Sequence, residues 1–414
     1  MPHLSQNVPY RFLRSGGTVG RIVLHRLSSS KNVSVAESLF WISLSVIGYT
    51  YVGYPLILWL WSQHRTRPVN KKPFAPSVSV VIAACNEAPH VGLRIENILG
   101  LDFPTERLEI IVVSDGSTDG TPDIINRYAG DRVRLIALAE RRGKAAALNV
   151  GVAQAKGEII VFSDARQTFD KGAIRELTAN FQDPQVGAVS GELVLMEPSG
   201  MARHNTGLYW RYEKWIRKAE SRVDSVIGAT GAIYAIRKSQ FVPLPIGTLL
   251  DDVMIPMRIA LQRYRVLFEE NALAYDTPSA SVEQEFQRKV RTLTGNYQLL
   301  FLMPELWSPM HNRLFFQYFS HKVTRLSAPF ALMALFISSL ILMRGIYAVG
   351  FVLQTLCYGL AWVGWQVRYK PWRTPVISLP LTFVMMNCAA LLGLVQFLRG
   401  LHNDRAGLNL WAKG

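Results

Sequence analysis

"GEIIVFSDARQTF", residues 157–169, sets a β-branched and aromatic run, Ile159 to Phe162, against an abrupt polar ending, Ser163-Asp164-Ala165-Arg166. An apolar run of this length bounded by turn residues reads as a buried strand. An aspartate at its end is costly unless something pairs with it. Three earlier segments share the plan. "SVSVVIAA" (77–84) runs into Cys85-Asn86-Glu87, and "LEIIVVSDGS" (108–117) ends in Asp115-Gly116-Ser117. "VRLIAL" (133–138) is followed by Arg141-Arg142-Gly143-Lys144. Helical stretches separate them, over 88–100, over 119–129 with Pro122 in the first turn, and over 143–155. Strand–helix alternation at this spacing predicts an open, mostly parallel α/β sheet with helices on both faces. Ligands bind such sheets beyond the carboxyl ends of the strands. Four consecutive strand ends therefore bring polar or charged residues to one ligand.

The residue types suggest what that ligand is. A carboxylate such as Asp115 accepts hydrogen bonds from a base or ribose, and Lys144 at a helix start suits a diphosphate. Taken singly, each has a plainer role: Asp115-Gly116-Ser117-Thr118 is also a turn and helix cap, and a lone lysine is usually solvated. Their conjunction argues for a site. The turn after the first strand, "AACNEAPH" (83–90), lacks G-x-G-x-x-G, and there is no G-x-x-x-x-G-K-[ST], so nicotinamide and flavin enzymes are disfavoured.

Leu39–Gln63 contains no charged residue, and three similar stretches follow: Leu326–Met343, Gly345–Val367 and Thr374–Leu398. The expected organisation is a basic N-terminal segment (1–36), a transmembrane helix (37–63), a proline- and charge-rich linker (64–75), an α/β domain (76–300), an interfacial helix region (301–325), three transmembrane helices within 326–400 and a C-terminal tail (401–414). The net charge of +15 is placed beside the apolar segments, at Arg65, Arg67, Lys71 and Lys72 and again at Arg368, Lys370 and Arg373. That placement suits lipid headgroups, and no nucleic-acid motif accompanies it, so no nucleic-acid partner is expected. Cys85, Cys357 and Cys388 make neither a disulfide framework nor a zinc site, which implies a reducing compartment.

In this order and at these gaps, "SVVIAACNEAPHV" (79–91), "LEIIVVSDGSTDGT" (108–121), "RRGKAAALNVG" (141–151) and "GEIIVFSDARQTF" resemble the family 2 glycosyltransferases of GT-A fold. The flanking apolar segments narrow the resemblance to the membrane-integrated branch that includes cellulose, hyaluronan, chitin and poly-N-acetylglucosamine synthases. It implies an α/β GT-A domain with transmembrane α-helices at both ends. It also implies an inverting transferase, moving a sugar from a UDP-linked donor to a saccharide or lipid-linked acceptor on the cytosolic side of the plasma membrane. Accessory subunits are not identifiable. By the same resemblance Asn86 and Glu87 open the nucleotide pocket, Asp115 reads uracil or ribose, and Lys144 lies near the diphosphate. Asp164 matches the first aspartate of D-x-D, a ligand of Mg2+ or Mn2+. In "GTLLDDVMIPMR" (247–258), Asp251-Asp252 matches an acidic pair whose second member is the general base. Gly228, Thr230 and Gly231 of "GATGAIYAIRK" are acceptor-side candidates.

Two departures stand out. Arg166 occupies the place of the second D-x-D aspartate; arginine cannot bind a metal but does bind phosphate. Either Asp164 and a residue elsewhere hold the cation, or Arg166 replaces part of its charge. In "EFQRKVRTLTGNYQ" (285–298), Arg288 and Arg291 supply the cations of a Q-R-x-R-W-like signature and are expected to bind the leaving diphosphate, but the glutamine at its first position and the tryptophan at its last are missing. That loss weakens the case for a processive, exporting synthase and raises single or short additions. Arg166 also leaves open a nucleotide-binding pseudoenzyme that partners a synthase. Trp210, Tyr212 and Trp215 are read as core packing rather than sugar-stacking residues.

Overall fold

The computed structural model describes residues 34–196, 202–203, 208–279, 281–369 and 374–403. Most of the expected basic segment 1–36 and of the tail 401–414 lies outside these. The α/β alternation is present. Strands β1 (Val78–Ala84), β2 (Leu108–Asp115), β3 (Val133–Leu138) and β4 (Ile159–Ser163) are parallel in the order β3-β2-β1-β4, with Val78 level with both Leu108 and Ile159. Beyond β4 the sheet becomes mixed. The order continues with β8 (Tyr234–Arg237), β6 (Val186–Met196), β9 (Arg265–Asp276) and β5 (Thr168–Phe169), and the two-residue β7 (Ala202–Arg203) pairs with β6. The β4–β8, β8–β6 and β9–β5 pairs are antiparallel, whereas β6–β9 is parallel.

Period-two alternation sends successive β-branched residues to opposite faces of the sheet. Val80, Ile82, Ile110, Val112 and Val161 pack with helices Ala88–Leu99 and Ala173–Ala179. Val81, Ile111, Val113, Ile160 and Phe162 pack with helices Lys144–Gln154 and Asp251–Leu261. Each such side chain contributes roughly 1.5–3 kcal/mol on burial. This two-sided core fixes the strands in register, and so holds their carboxyl ends along one edge.

Among the described residues, four helices are long and apolar enough to cross a membrane: Ser34–His64, Phe315–Leu342, Gly345–Gln366 and Pro375–His402. The interfacial helix expected over 301–325 is not a separate element. A 3₁₀ turn, Pro304–Trp307, leads through a connection into the helix that starts at Phe315, so His321, Lys322 and Arg325 belong to its first turns. Acidic partners from another helix make that placement possible, as described below. The described residues divide into two compact units, one holding those up to Ile47 together with Phe330–Cys357, the other those within Gly48–Pro329 and from Tyr358 onward. In the first, Phe40 meets Tyr347 edge-on at 4.8 Å and Arg344 bonds Glu37 at 2.7 Å. In the second, Tyr297 of helix Val282–Leu302 packs with Leu326 and Phe397. Every candidate site residue lies in the second unit.

Candidate active site

The turns after β1, β2 and β3 are knitted into one platform. Asn86, in the left-handed region at φ 57°, donates its N–H to Ser117 Oγ (3.2 Å) and accepts from Thr118 N–H through Oδ1 (2.8 Å). Asp119 Oδ2 accepts from Ala88 N–H at 3.1 Å. Asp115 accepts from the backbone N–H groups of Arg142 (2.7 Å) and Gly143 (2.8 Å), which fixes the approach to Lys144. Gly116, at φ 61°, allows the close approach: a Cβ there would stand 2.4 Å from Arg141 N. Asp115 therefore already organises the turn that carries Lys144, beside any contact it makes with a ligand.

Asp164, the costly aspartate of the opening stretch, has its partner in Lys144, whose Nζ lies 2.9 Å from Asp164 Oδ1 and 3.4 Å from Asp251 Oδ1. Burial pulls the Lys144 ammonium down, but Asp164, Asp251 and Asp252 together outweigh it and hold its pKa above the ordinary lysine value. Beneath the end of β4, the buried Arg94 donates from Nε and Nη2 to Ser163 Oγ (3.1 and 2.7 Å) and lies 3.8 Å over the Phe169 ring. Burial pushes that guanidinium down to about 9.

Asp251 and Asp252 begin the helix Asp251–Leu261. Asp251 is buried and accepts from Tyr234 OH at 3.3 Å. For Asp252, burial and the neighbouring Asp251 carboxylate raise the pKa to about 6, against the ammonium groups of Lys144 and Lys322. A carboxylate poised near neutrality suits proton abstraction. The loop containing Gly228, Thr230 and Gly231 walls one side of it. Ala229 N–H donates to Asp252 O at 2.7 Å, and a Cβ at Gly231 would stand 3.1 Å from Asp252 Oδ2. Arg291 also faces the cluster: burial lowers its pKa, against the pull of Asp251, Asp164 and Asp252.

Not every expected ligand joins this group. Arg288 donates to Ser279 Oγ (3.1 Å) and lies 3.7 Å from Glu285, one turn before it on the same helix. Glu87 and Arg166 engage one another, Arg166 Nε lying 3.0 and 3.1 Å from the two Glu87 oxygens. The Arg166 side chain is 61% exposed. Among the described residues, no group of three or more His, Cys, Asp or Glu side chains forms a metal cage. A cation that takes most ligands from phosphates and water needs only one or two carboxylates, and Asp164 fits that demand.

Two cations in electrostatic reach of Asp252 were not singled out from the sequence. Arg217, on the helix Leu208–Val223, donates from Nη1 to Thr230 Oγ1 (2.7 Å) and from Nη2 to Ser190 Oγ (2.6 Å), clamping the wall loop. Lys322 comes from the helix Phe315–Leu342. Around it, His321 lies between Glu220 (2.8 Å) and Glu213 (3.2 Å), Arg325 pairs with Glu213, and Tyr54 OH donates to Glu220 at 2.6 Å. The readable signal was the spacing Glu213, Arg217, Glu220, which puts one polar stripe along an otherwise aromatic helix.

Residues 79–239 match the model of Glycosyl transferase family 2. The poly-beta-1,6-N-acetyl-D-glucosamine synthase of Staphylococcus aureus (strain COL) is 26% identical over 258 residues, covering 60% of this chain and 62% of that protein. The synthase of the same name from Staphylococcus epidermidis is 24% identical over 284 residues, 67% and 66% of the two chains. The match thus spans less than two thirds of these relatives. The mannosyltransferase PcManGT from Pyrobaculum calidifontis, solved in complex with GDP-Man and Mn2+, has the same fold, with a TM-score of 0.65 and 23% identity over 87% of this chain and 99% of its own. Residues 79–239 thus match a family 2 glycosyl transferase domain, and the fold that contains them is of the GT-A type.

Proposed function

We propose that this protein moves a sugar, with inversion, from a UDP-linked donor to a carbohydrate or lipid-linked acceptor at the cytosolic face of the plasma membrane. The reading is carried by the contact of Lys144 with both Asp164 and Asp251, which brings the expected diphosphate side and the expected base side of the reaction to one place. In the reaction, the acceptor hydroxyl attacks the anomeric carbon and its proton passes to Asp252. The bond from that carbon to the diphosphate breaks, and the electron pair leaves on UDP. Lys144 and Arg291 offset the charge that develops there. Asp164 would hold Mg2+ or Mn2+, and the Mn2+ in the mannosyltransferase complex supports a divalent cation, whose contribution is to neutralise phosphate charge. Asn86 and Asp115 frame the nucleotide end, and Gly228, Thr230 and Gly231 leave room for the acceptor.

Membranes containing the protein are incubated with a panel of labelled nucleotide sugars, and product is sized with and without EDTA. Incorporation from a UDP-sugar that is lost in Asp252→Asn is expected; incorporation that persists in that variant refutes the assignment of the base. Activity that survives chelation would shift the metal's role to Arg166. The named relatives favour a second reading, polymer synthesis, which long products would support and a single added residue would exclude.

A further inference from the structure

We propose that Trp210 is the platform of a carbohydrate subsite, on which the acceptor lays a sugar ring behind the one that reacts at Asp252. The inference rests on the proposed transfer at Asp252 and adds a second contact for its acceptor.

The helix Leu208–Val223 is tied to β6 by two contacts. Arg217 Nη2 meets Ser190 Oγ at 2.6 Å, and one turn earlier Lys214 Nζ meets Glu192 Oε2 at 2.6 Å. β6 is antiparallel to β8, and β8 to β4, so β6 runs with β1–β4 and ends on the same side of the sheet. Going back along the helix from Arg217 through Lys214 to Trp210 therefore leads toward the carboxyl ends of the strands, where ligands bind. Arg217 Nη1 also donates to Thr230 Oγ1, and Thr230 adjoins Gly231, whose added Cβ would stand 3.1 Å from Asp252 Oδ2. Trp210 lies two turns before Arg217 on the same helix face, about 10 Å along the axis.

A second helix, Val282–Leu302, connects the same two places. Its Gln298 Oε1 accepts from Leu249 N–H at 2.9 Å, and its Gly295 packs so tightly that an added Cβ would stand 2.5 Å from Leu250 Cγ. Leu250 immediately precedes Asp251-Asp252. Six residues before Gly295, Lys289 Nζ lies over the Trp210 ring, 5.0 Å from its centroid. The two helices thus touch the chain neighbours of Asp252 at one end and each other at Trp210. Read from the sequence as core packing, Trp210 is instead 37% exposed, with the Tyr209 ring edge-on at 6.4 Å. An indole with an ammonium over its ring, on one helix face with the Lys214–Glu192 pair, offers an apolar plane with donors and an acceptor nearby. A sugar ring has the matching surface, an apolar C–H face with hydroxyls at its rim. A lipid chain laid there would set those charges in hydrocarbon.

The test uses full-length protein in membranes with the UDP-sugar that the wild type accepts. The acceptor probes are N-acetylglucosamine and its β-1,6-linked tetrasaccharide, the sugar in the names of the relatives. Wild type should show a KM for the tetrasaccharide about tenfold below that for the monosaccharide, the worth of one stacked ring. In Trp210→Ala the two KM values should come together while donor binding persists, which also reports an intact fold. Trp210→Phe should restore most of the difference. Trp215→Ala, which removes an equally exposed tryptophan of the same helix, should keep all of it. A wild type that gains nothing from the longer chain, or a phenylalanine variant that behaves like alanine, would overturn the subsite. So would equal losses in Trp210→Ala and Trp215→Ala, which would mark both rings as membrane anchors. If Asp252→Asn still extends either sugar, the base assignment falls with it. If Asp252→Asn is dead while Trp210→Ala keeps the full KM difference, only the subsite is lost.

Discussion

A single carboxylate, Asp252, carries the chemistry of the proposed reaction, and its surroundings make it expensive. Its pKa in the fold, about 6, stands above the value of a free aspartate. The ionised form is therefore penalised in the folded state at neutral pH, and the penalty fades as pH falls through 6 towards 4. Asp252→Asn should remove roughly 2 kcal/mol of that penalty, raising the melting temperature while turnover drops by about 10²- to 10⁴-fold and donor binding persists. Wild-type turnover should fall about tenfold per unit below pH about 6, because the base is then protonated. Arg166 stands at the other extreme. Its pair with Glu87 is on the surface, so Arg166→Ala should cost less than about 1 kcal/mol in thermal unfolding. Asp164 and Lys144 were readable as site candidates because strand ends and the helix start after β3 are local features of the chain, whereas Asp251-Asp252 was reached through the family resemblance. The pairing of Glu87 with Arg166 was not, since the convergence of two strand ends does not say which of their side chains will bond one another.

Elements that begin or end on the sheet were legible for a simple reason. A β-branched run with a polar terminus has only one way to sit in a parallel sheet, and the turns after β1, β2 and β3 must then share an edge. The change to antiparallel pairing beyond β4 was not legible, because the pairing of β8 with β4 depends on how the chain returns. The seam between the helices Leu208–Val223 and Phe315–Leu342 was hidden too. Its aromatic residues suggested packing and its cations a membrane surface, whereas the two sets of charges neutralise one another inside. Glu213 is central there: burial works to raise its pKa, but Arg325 and His321 hold it well below the usual carboxylate range. Its stabilising contribution is thus present above the ordinary glutamate pKa and lost as pH falls below it. Glu213→Ala should destabilise the protein by about 3–5 kcal/mol, since it strands Arg325 and leaves His321 with Glu220 alone, and thermal unfolding in detergent would show it.

At the scale of the whole molecule, catalysis with cytosolic donors requires the domain between the first and second apolar helices to face the cytosol. Each further span reverses the side. A reporter fused at Gly20 should then lie outside, and one fused after Tyr369 inside; fluorescence and phosphatase fusions at both positions would check it. The second placement agrees with the cluster containing Arg368, while the first opposes the usual bias of positive charge, because the N-terminal segment is basic. Same-side reporters would mean that one of the four apolar helices does not cross.

The missing side chain at Gly231 has a practical corollary. Its backbone conformation suits any residue, yet one methyl group would press on the Asp252 carboxylate. Gly231→Ala should therefore yield a loaded but idle machine, able to take its charge and unable to spend it. Such a variant would be the natural one in which to catch the protein with its cargo aboard.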